Sequence, residues 1–307
     1  MKRPVLILLI FCIYEFSVVN AQKYTTIQYF TDDTSKLELD IFIPDKPDKI
    51  NHPLVIYLHG GGFSNGDKAT GYNLCKFLAK KGIVAVTINY TLYMKDKNFS
   101  CDGILSDKIK AIQYGVNDLW LATTFFIQNS GQYHIDTSQI FIAGSSAGAE
   151  TVLHAAFWDF ETMNIYKNKI PANFKYAGLI EGSGAIMDLN LITAKSLLPV
   201  LMFHGNDDQL VPYATAAHHY CKTNASGWLM LFGSYTIYNY IVSLNGNAHL
   251  ITYCGGGHEY SAELFETDQQ PILDFIHDVL ANKKFQMHTI ISTGKKTAAS
   301  SVYKFCD

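Results

Sequence analysis

The chain has 307 residues, is 48% hydrophobic and carries a formal net charge of -3. That length and apolar content suit one large globular domain or two small ones, with ample residues to bury a core. The acidic balance argues against nucleic-acid binding, which needs a basic face.

Lys2 and Arg3 precede an apolar run from Val5 to Tyr14, and Val19-Asn20-Ala21 offers a small-residue cleavage site before Gln22. This pattern predicts a secretory signal peptide over residues 1–21, cleaved near Ala21-Gln22, and a secreted or periplasmic mature protein. The run is short for a spanning helix and no later stretch is long and apolar enough, so no stable membrane insertion is expected after signal removal. Cleavage removes Lys2, Arg3 and Glu15, which leaves 22 basic and 26 acidic residues and a net charge of -4. Arg3 is the sole arginine. A mature chain without arginine argues against a substrate held in a bidentate guanidinium clamp, such as a phosphate or a free carboxylate.

Lys23 to Phe30 and Leu37 to Pro44 alternate in character around Thr31-Asp32-Asp33 and read as an antiparallel hairpin. Pro53 to Leu58 is a continuous apolar run, the mark of a strand covered on both faces, and it ends at His59-Gly60-Gly61-Gly62-Phe63. Tyr72 to Lys81 has helical spacing, and Ile83 to Tyr90 is another buried strand. Ser106 to Ser130 is a long amphipathic helix with Ile109, Ile112, Val116 and Leu119 on one face. Gln139 to Ala143 is a strand that runs into Gly144-Ser145-Ser146-Ala147-Gly148, and the helix-forming run Ala149 to Phe157 follows at once. Tyr176 to Glu181 and Leu198 to Phe203 are strands, the second ending at His204-Gly205-Asn206-Asp207-Asp208. Tyr213 to Lys222 and Ser234 to Leu244 read as helices. Ala248 to Tyr253 is a strand ending at Cys254-Gly255-Gly256-Gly257-His258, and Gln270 to Asn282 closes with a helix. Residues 283–307 form a polar tail to which no element is assigned. Strands alternating with helices imply an α/β fold: a mostly parallel sheet of about eight strands, an N-terminal antiparallel hairpin and helices on both faces.

Ser146 stands at the apex of a strand–turn–helix. Gly144 and Gly148 flank it where the backbone bends hard and neighbours come close. A catalytic serine needs a base to take its proton and an acid to orient that base. In an open α/β sheet such groups gather outside the carboxyl ends of the strands. Asp208 and His258 each follow a predicted strand, so Ser146, Asp208 and His258 are the candidate triad. Ser145 and Asp207 compete by position. Ser146 is the middle of the Gly-x-Ser-x-Gly run, and the spacing to Val211-Pro212 favours Asp208. His204 is read as structural. His218, His219 and Cys221 could suggest a metal set, but no further ligands are in view, so no metal is expected. The leader apart, Cys75, Cys101, Cys221, Cys254 and Cys306 remain, and an odd count leaves at least one unpaired. Export permits disulfides, with Cys75 and Cys101 a candidate pair if they sit above neighbouring strand ends.

With these motifs in order, the chain resembles α/β-hydrolases of the carboxylesterase/lipase kind. It resembles the branch that pairs a His-Gly-Gly-Gly loop with a Gly-x-Ser-Ala-Gly elbow, as in hormone-sensitive-lipase-like esterases. The resemblance covers roughly Leu37 to Leu280. It implies an oxyanion hole built from the backbone N–H groups of Gly61, Gly62 and Ala147. It also implies a small-molecule ester substrate, no cofactor, and a single α/β-hydrolase domain over 22–307. His59 would hold the glycine loop. The chain departs from that family at Ser145, where an Asp is usual, and at Ala149, where a second Gly is usual. Roughly thirty mature residues precede the central strands, too few for that family's N-terminal helical cap, and Trp158 to Phe174 could form at most a small lid. An open site suits short-chain, aryl or sugar-linked esters. Amide or peptide hydrolysis on the same fold is the nearest rival, and a non-catalytic binding protein is the rival from another class.

Overall fold

A computed structural model describes residues 23–32, 36–44, 51–296 and 302–306. The predicted signal peptide lies outside the described residues. The chain opens with a hairpin of β1 (Tyr24–Thr31) and β2 (Lys36–Phe42), followed by β3 (His52–Leu58). Next come α1 (Tyr72–Lys80), β4 (Val84–Ile88), α2 (Leu105–Gln128) and the one-turn α3 (Ser130–Tyr133). Strand β5 (Ile135–Ser145) feeds α4 (Ala147–Phe157), and the short α5 (Phe160–Met163) follows. The remaining strands before the next long helix are β6 (Gly178–Gly182), β7 (Ala185–Ile186), β8 (Val200–Gly205), β9 (Thr215–Ala217) and β10 (Met230–Gly233). The chain then forms α6 (Ser234–Ser243), β11 (Ala248–Cys254), α7 (Glu263–Glu266), α8 (Gln270–Leu280) and β12 (Gln286–Ser292).

Nine strands make one sheet in the order β1-β2-β4-β3-β5-β6-β8-β11-β12. Only the β1–β2 and β2–β4 pairs are antiparallel. A small antiparallel sheet, β7-β10-β9, stands apart from it. The period of two in a strand sorts its side chains between the faces. Leu54, Ile56 and Leu58 of β3 join a core that includes Ile112, Val116 and Leu119 of α2, Leu153 of α4 and Ile237 of α6. Val55 and Tyr57 of the same strand join the opposite core, with Leu74 and Leu78 of α1, Phe265 of α7 and Ile272 and Phe275 of α8. Both faces are covered, which is why the central strands read as unbroken apolar runs.

The parallel registers align the ends that carry the motifs. Leu58 pairs with Gly144 across β3 and β5, and Gly205 with Tyr253 across β8 and β11. Strand β6 joins the two halves, pairing with both β5 and β8. The loops holding Gly61, Ser146, Asp208 and His258 therefore leave the same edge of the sheet.

The mostly parallel sheet of about eight strands is borne out, and a ninth comes from the polar tail, which supplies β12, paired parallel to β11 along its whole length. Six of its seven residues are exposed, so no apolar run betrays it. Tyr213 to Lys222 is not a helix. It contains β9, paired with β10, and a tight turn in which His219 and Tyr220 take left-handed backbone angles of φ 55° and 51°. Consecutive left-handed residues cannot continue a right-handed helix. Cys75 does not pair with Cys101. It is a free thiol buried under the sheet among the apolar side chains of α1, while the disulfides are Cys101–Cys221 and Cys254–Cys306.

The disulfides span 120 and 52 residues of sequence. Cross-links closing loops this long typically stabilise by about 2–5 kcal/mol, chiefly by constraining the unfolded chain. Replacing Cys254 and Cys306 together by serine is expected to lower the unfolding free energy in a denaturant titration by about that amount. An unchanged midpoint would contradict it.

Candidate active site

Ser146 joins β5 to α4 with backbone angles φ 53° and ψ -119°. A non-glycine residue there is strained, at a cost of about 1–3 kcal/mol, so the surroundings must impose it. They do so by contact and by hydrogen bonds. Ser146 N–H donates to Gly182 O at 2.8 Å, and Ser146 O accepts from Glu150 N–H at 2.9 Å. A Cβ on Gly144 would collide with the backbone of Gly148, and one on Gly148 with the carbonyl of Leu58. Only glycine fits at either position, because strand and helix touch there.

Ser146 Oγ lies 2.8 Å from His258 Nε2, and His258 Nδ1 lies 2.6 Å from Asp208 Oδ2. A carboxylate accepts, so Nδ1 carries the ring proton and Nε2 is free to accept from the serine hydroxyl. Asp208 is fully buried. Burial alone would push its carboxyl up, but hydrogen bonds and charge from His204 and His258 outweigh it and hold the carboxyl well below the usual range. Its other oxygen accepts from the N–H groups of Leu210 at 2.8 Å and Val211 at 3.0 Å. Asp207, the competing acid, makes no contact with His258 among these interactions.

His204 plays a larger part than a filler. Its Nε2 lies 3.2 Å from both Asp208 Oδ2 and Val211 O. Two acceptors require a proton on that nitrogen, so His204 donates to the same oxygen as His258. Its Nδ1 meets Ser234 Oγ at 2.7 Å, and that hydroxyl donates to Glu181 Oε1 at 2.6 Å. A buried chain thus runs from Ser146 through His258, Asp208, His204 and Ser234 to Glu181.

Across from Ser146, Gly61 and Gly62 adopt φ 115° and 58°. The carbonyl of Gly61 turns back to accept from the N–H groups of Ser64 at 3.1 Å and Asn65 at 3.2 Å. Among the described residues, none accepts from the N–H of Gly61, Gly62 or Ala147. His59 braces the loop: its ring stacks on Tyr90 at 4.5 Å and its Nδ1 meets Gly60 O at 2.6 Å. Tyr90 in turn donates to His59 O at 2.9 Å.

Ser146, His258, Gly61, Gly62 and Ala147 line one cleft of about 470 Å³, and Asp208 lies behind it. Its walls also include Phe99, Glu150, Leu210, Val211, His218 and His219. No residue between Trp158 and Phe174 lines it, so that segment is not a lid over this cleft. Trp158, Phe160, Met163, Ile170 and Phe174 pack on the core instead. In the sequence Glu150 is legible only as a residue bordering the serine motif, and His218 only as a neighbour of His219 and Cys221. The available signal was a glutamate inside the otherwise apolar first turns of α4, four residues after Ser146. Cys221 is held in its disulfide, which removes it from any metal set with His218 and His219.

Glu150 and His218 are 1% and 2% exposed. Glu150 Oε1 and His218 Nε2 are 3.7 Å apart, too far for a hydrogen bond. Among the described residues, Glu150 Oε1 and His218 Nδ1 have no hydrogen-bond partner. Burial pushes the Glu150 carboxyl up to about 8, against the nearby Lys108 charge, and pushes the His218 imidazole well down. Both shifts favour the uncharged forms of the two groups.

The BD-FAE family model matches residues 39–197, just over half of the chain's 307 residues. The probable isoprenylcysteine alpha-carbonyl methylesterase ICME of Oryza sativa subsp. japonica is 26% identical over 222 residues, covering 60% of this chain and 50% of that protein. The fumonisin B1 esterase of Sphingopyxis macrogoltabida is 32% identical over 119 residues, covering 38% of this chain and 22% of that protein. The chain thus spans half or less of the length of these curated relatives. Among solved structures, Thermogutta terrifontis esterase 2 phosphorylated by paraoxon superposes with a TM-score of 0.60 at 17% identity, covering 84% of this chain and 94% of that one. At that identity the likeness is one of fold.

The raised Glu150 carboxyl has a consequence for stability. A group whose pKa is higher folded than unfolded contributes stability below its unfolded pKa, and loses it as pH rises through the folded one. Glu150→Gln should therefore gain on the wild type as pH rises from about 4.5 to about 8. The gain is at most about 1.4 kcal/mol per pH unit, read from denaturant midpoints across that window. A stability difference that does not change with pH would contradict a buried, neutral Glu150.

Proposed function

The chain belongs to the BD-FAE family and is an α/β-hydrolase of the carboxylesterase/lipase kind, and on that premise we propose that it is a secreted serine carboxylic-ester hydrolase. Ester cleavage proceeds through an acyl-enzyme on Ser146. The observation that carries this reading is the linked pair of contacts, Ser146 Oγ to His258 Nε2 at 2.8 Å and His258 Nδ1 to Asp208 Oδ2 at 2.6 Å. Ser146 Oγ attacks the ester carbonyl while His258 Nε2 takes its proton. Asp208 holds the tautomer and stabilises the imidazolium that forms. The negative oxygen of the tetrahedral intermediate takes hydrogen bonds from the N–H groups of Gly61, Gly62 and Ala147. His258 then returns the proton to the departing alcohol. Water, deprotonated by the same histidine, frees the acid and restores Ser146.

The relatives' own activities, a methylesterase and a fumonisin B1 esterase, support esters over amides. The uncapped cleft supports short-chain, aryl or sugar-linked esters rather than long acyl chains. Export is supported by two disulfides, which persist in oxidising compartments.

Hydrolysis of p-nitrophenyl butyrate tests the mechanism. Ser146→Ala is expected to lower kcat by at least about a thousandfold. Equal turnover by both proteins would overturn the assignment, and an amide cleaved as fast as its matched ester would favour the amidase alternative. Gly61→Ala tests the oxyanion loop separately. At φ 115° its Cβ would collide with the carbonyl of Asn65, so the loop must shift. A fall in kcat of about a hundredfold with little change in KM is expected, the size seen when an oxyanion donor is lost. An unchanged kcat would remove Gly61 from the role.

A further inference from the structure

The triad and the glycine loop account for only part of the cleft wall. Two buried polar side chains, Glu150 and His218, line the same cleft and are not used by the steps above. Glu150 Oε1 and His218 Nδ1 lack any hydrogen-bond partner among the described residues. Buried polar atoms in folded proteins are almost always satisfied, and an exception beside a reactive serine points to a ligand group.

The pair is rigidly mounted. Glu150 sits in the first turn of α4, its N–H bonded to Ser146 O at 2.9 Å. His218 is fixed by its N–H to Leu229 O at 2.8 Å and by the edge of the Phe99 ring, whose centroid lies 5.0 Å from the imidazole. The Cys101–Cys221 disulfide ties the chain segment after His218 to the one after Phe99. Lys108 Nζ donates to Gly227 O at 2.7 Å, and among the described residues it makes no hydrogen bond to Glu150 Oε1.

We propose that Glu150 and His218 form a subsite that takes a hydroxyl group of the substrate, so that hydroxylated esters are the preferred class. The inference rests on the ester-hydrolase reading of Ser146. The chemistry of the two groups selects the ligand. A neutral carboxyl and a neutral imidazole each offer a donor and an acceptor. A hydroxyl matches both at once. An alkyl group in the same place would leave both polar atoms with nothing to bond. A substrate ammonium would meet the Lys108 charge, and a substrate carboxylate the Asp208 charge, both of which are felt at Glu150.

Two matched pairs of esters test the subsite and locate the hydroxyl. The first pair is p-nitrophenyl butyrate and p-nitrophenyl β-hydroxybutyrate, which differ on the acyl side. The second is propyl acetate and glyceryl monoacetate, which differ on the alcohol side. In the wild type, one pair is expected to show kcat/KM at least about tenfold higher for its hydroxylated member. Glu150→Leu should bring that ratio to about one, whereas Glu150→Gln, which keeps a donor and an acceptor, should retain most of it. His218→Phe gives the same reading if Glu150→Leu fails to fold. No preference in either wild-type pair overturns the subsite, as does a preference that survives both Glu150→Leu and His218→Phe. If the wild type cleaves none of the four esters, the ester-hydrolase reading fails and the subsite falls with it. Cleavage without preference sinks the subsite alone.

Discussion

The site depends on one backbone reversal. At Ser146 the chain leaves β5 and enters α4 in a conformation that a non-glycine residue adopts only under constraint. The constraint is steric and directional together. Glycines on both sides let strand and helix touch, and the carbonyl of Gly182 on β6 captures the serine N–H. The reversal lifts the hydroxyl out of the sheet. Among the described residues, it also leaves the next N–H, that of Ala147, without an acceptor, and Ala147 lines the cleft with Gly61 and Gly62. The same strained turn thus sets the hydroxyl and one of the three free donors.

The second requirement is a permanent charge in a dry place. Asp208 is fully buried, and burial alone would push its carboxyl up towards the neutral form. Four donors surround its two oxygens: His258, His204 and the N–H groups of Leu210 and Val211. Such coverage keeps the carboxylate ionised and fixes where it points. His204 is itself held through Ser234 by Glu181, so the orientation of His258 traces back to the end of β6. Strand β6 then serves both halves of the site, binding the serine turn through Gly182 and the acid through Glu181.

Much of this was legible in the sequence because sharp turns and buried strands leave strong marks. Only glycine fits where Gly144 and Gly148 stand, and a strand covered on both faces must be apolar throughout, as Pro53 to Leu58 is. What was not legible depended on distant partners. Strand β12 is an exposed edge held by backbone hydrogen bonds and a disulfide, so its side chains carry no burial pattern. The turn at His218 to Tyr220 looked helical because its left-handed residues are neither glycine nor asparagine, and what fixes it is β10 and Cys101. The structural reading of His204 did not include its role as a second donor to Asp208, since i,i+4 spacing across a strand end gives no sign that two side chains meet.

The central claim is that Ser146 is a nucleophile activated by His258. A fluorophosphonate probe tests it directly, because the probe bonds only to a serine whose proton can be removed. The folded protein should gain one adduct, mapped by peptide mass spectrometry to Ser146, and His258→Ala should lose it. No adduct on the wild type, or an adduct on another residue, would contradict the account.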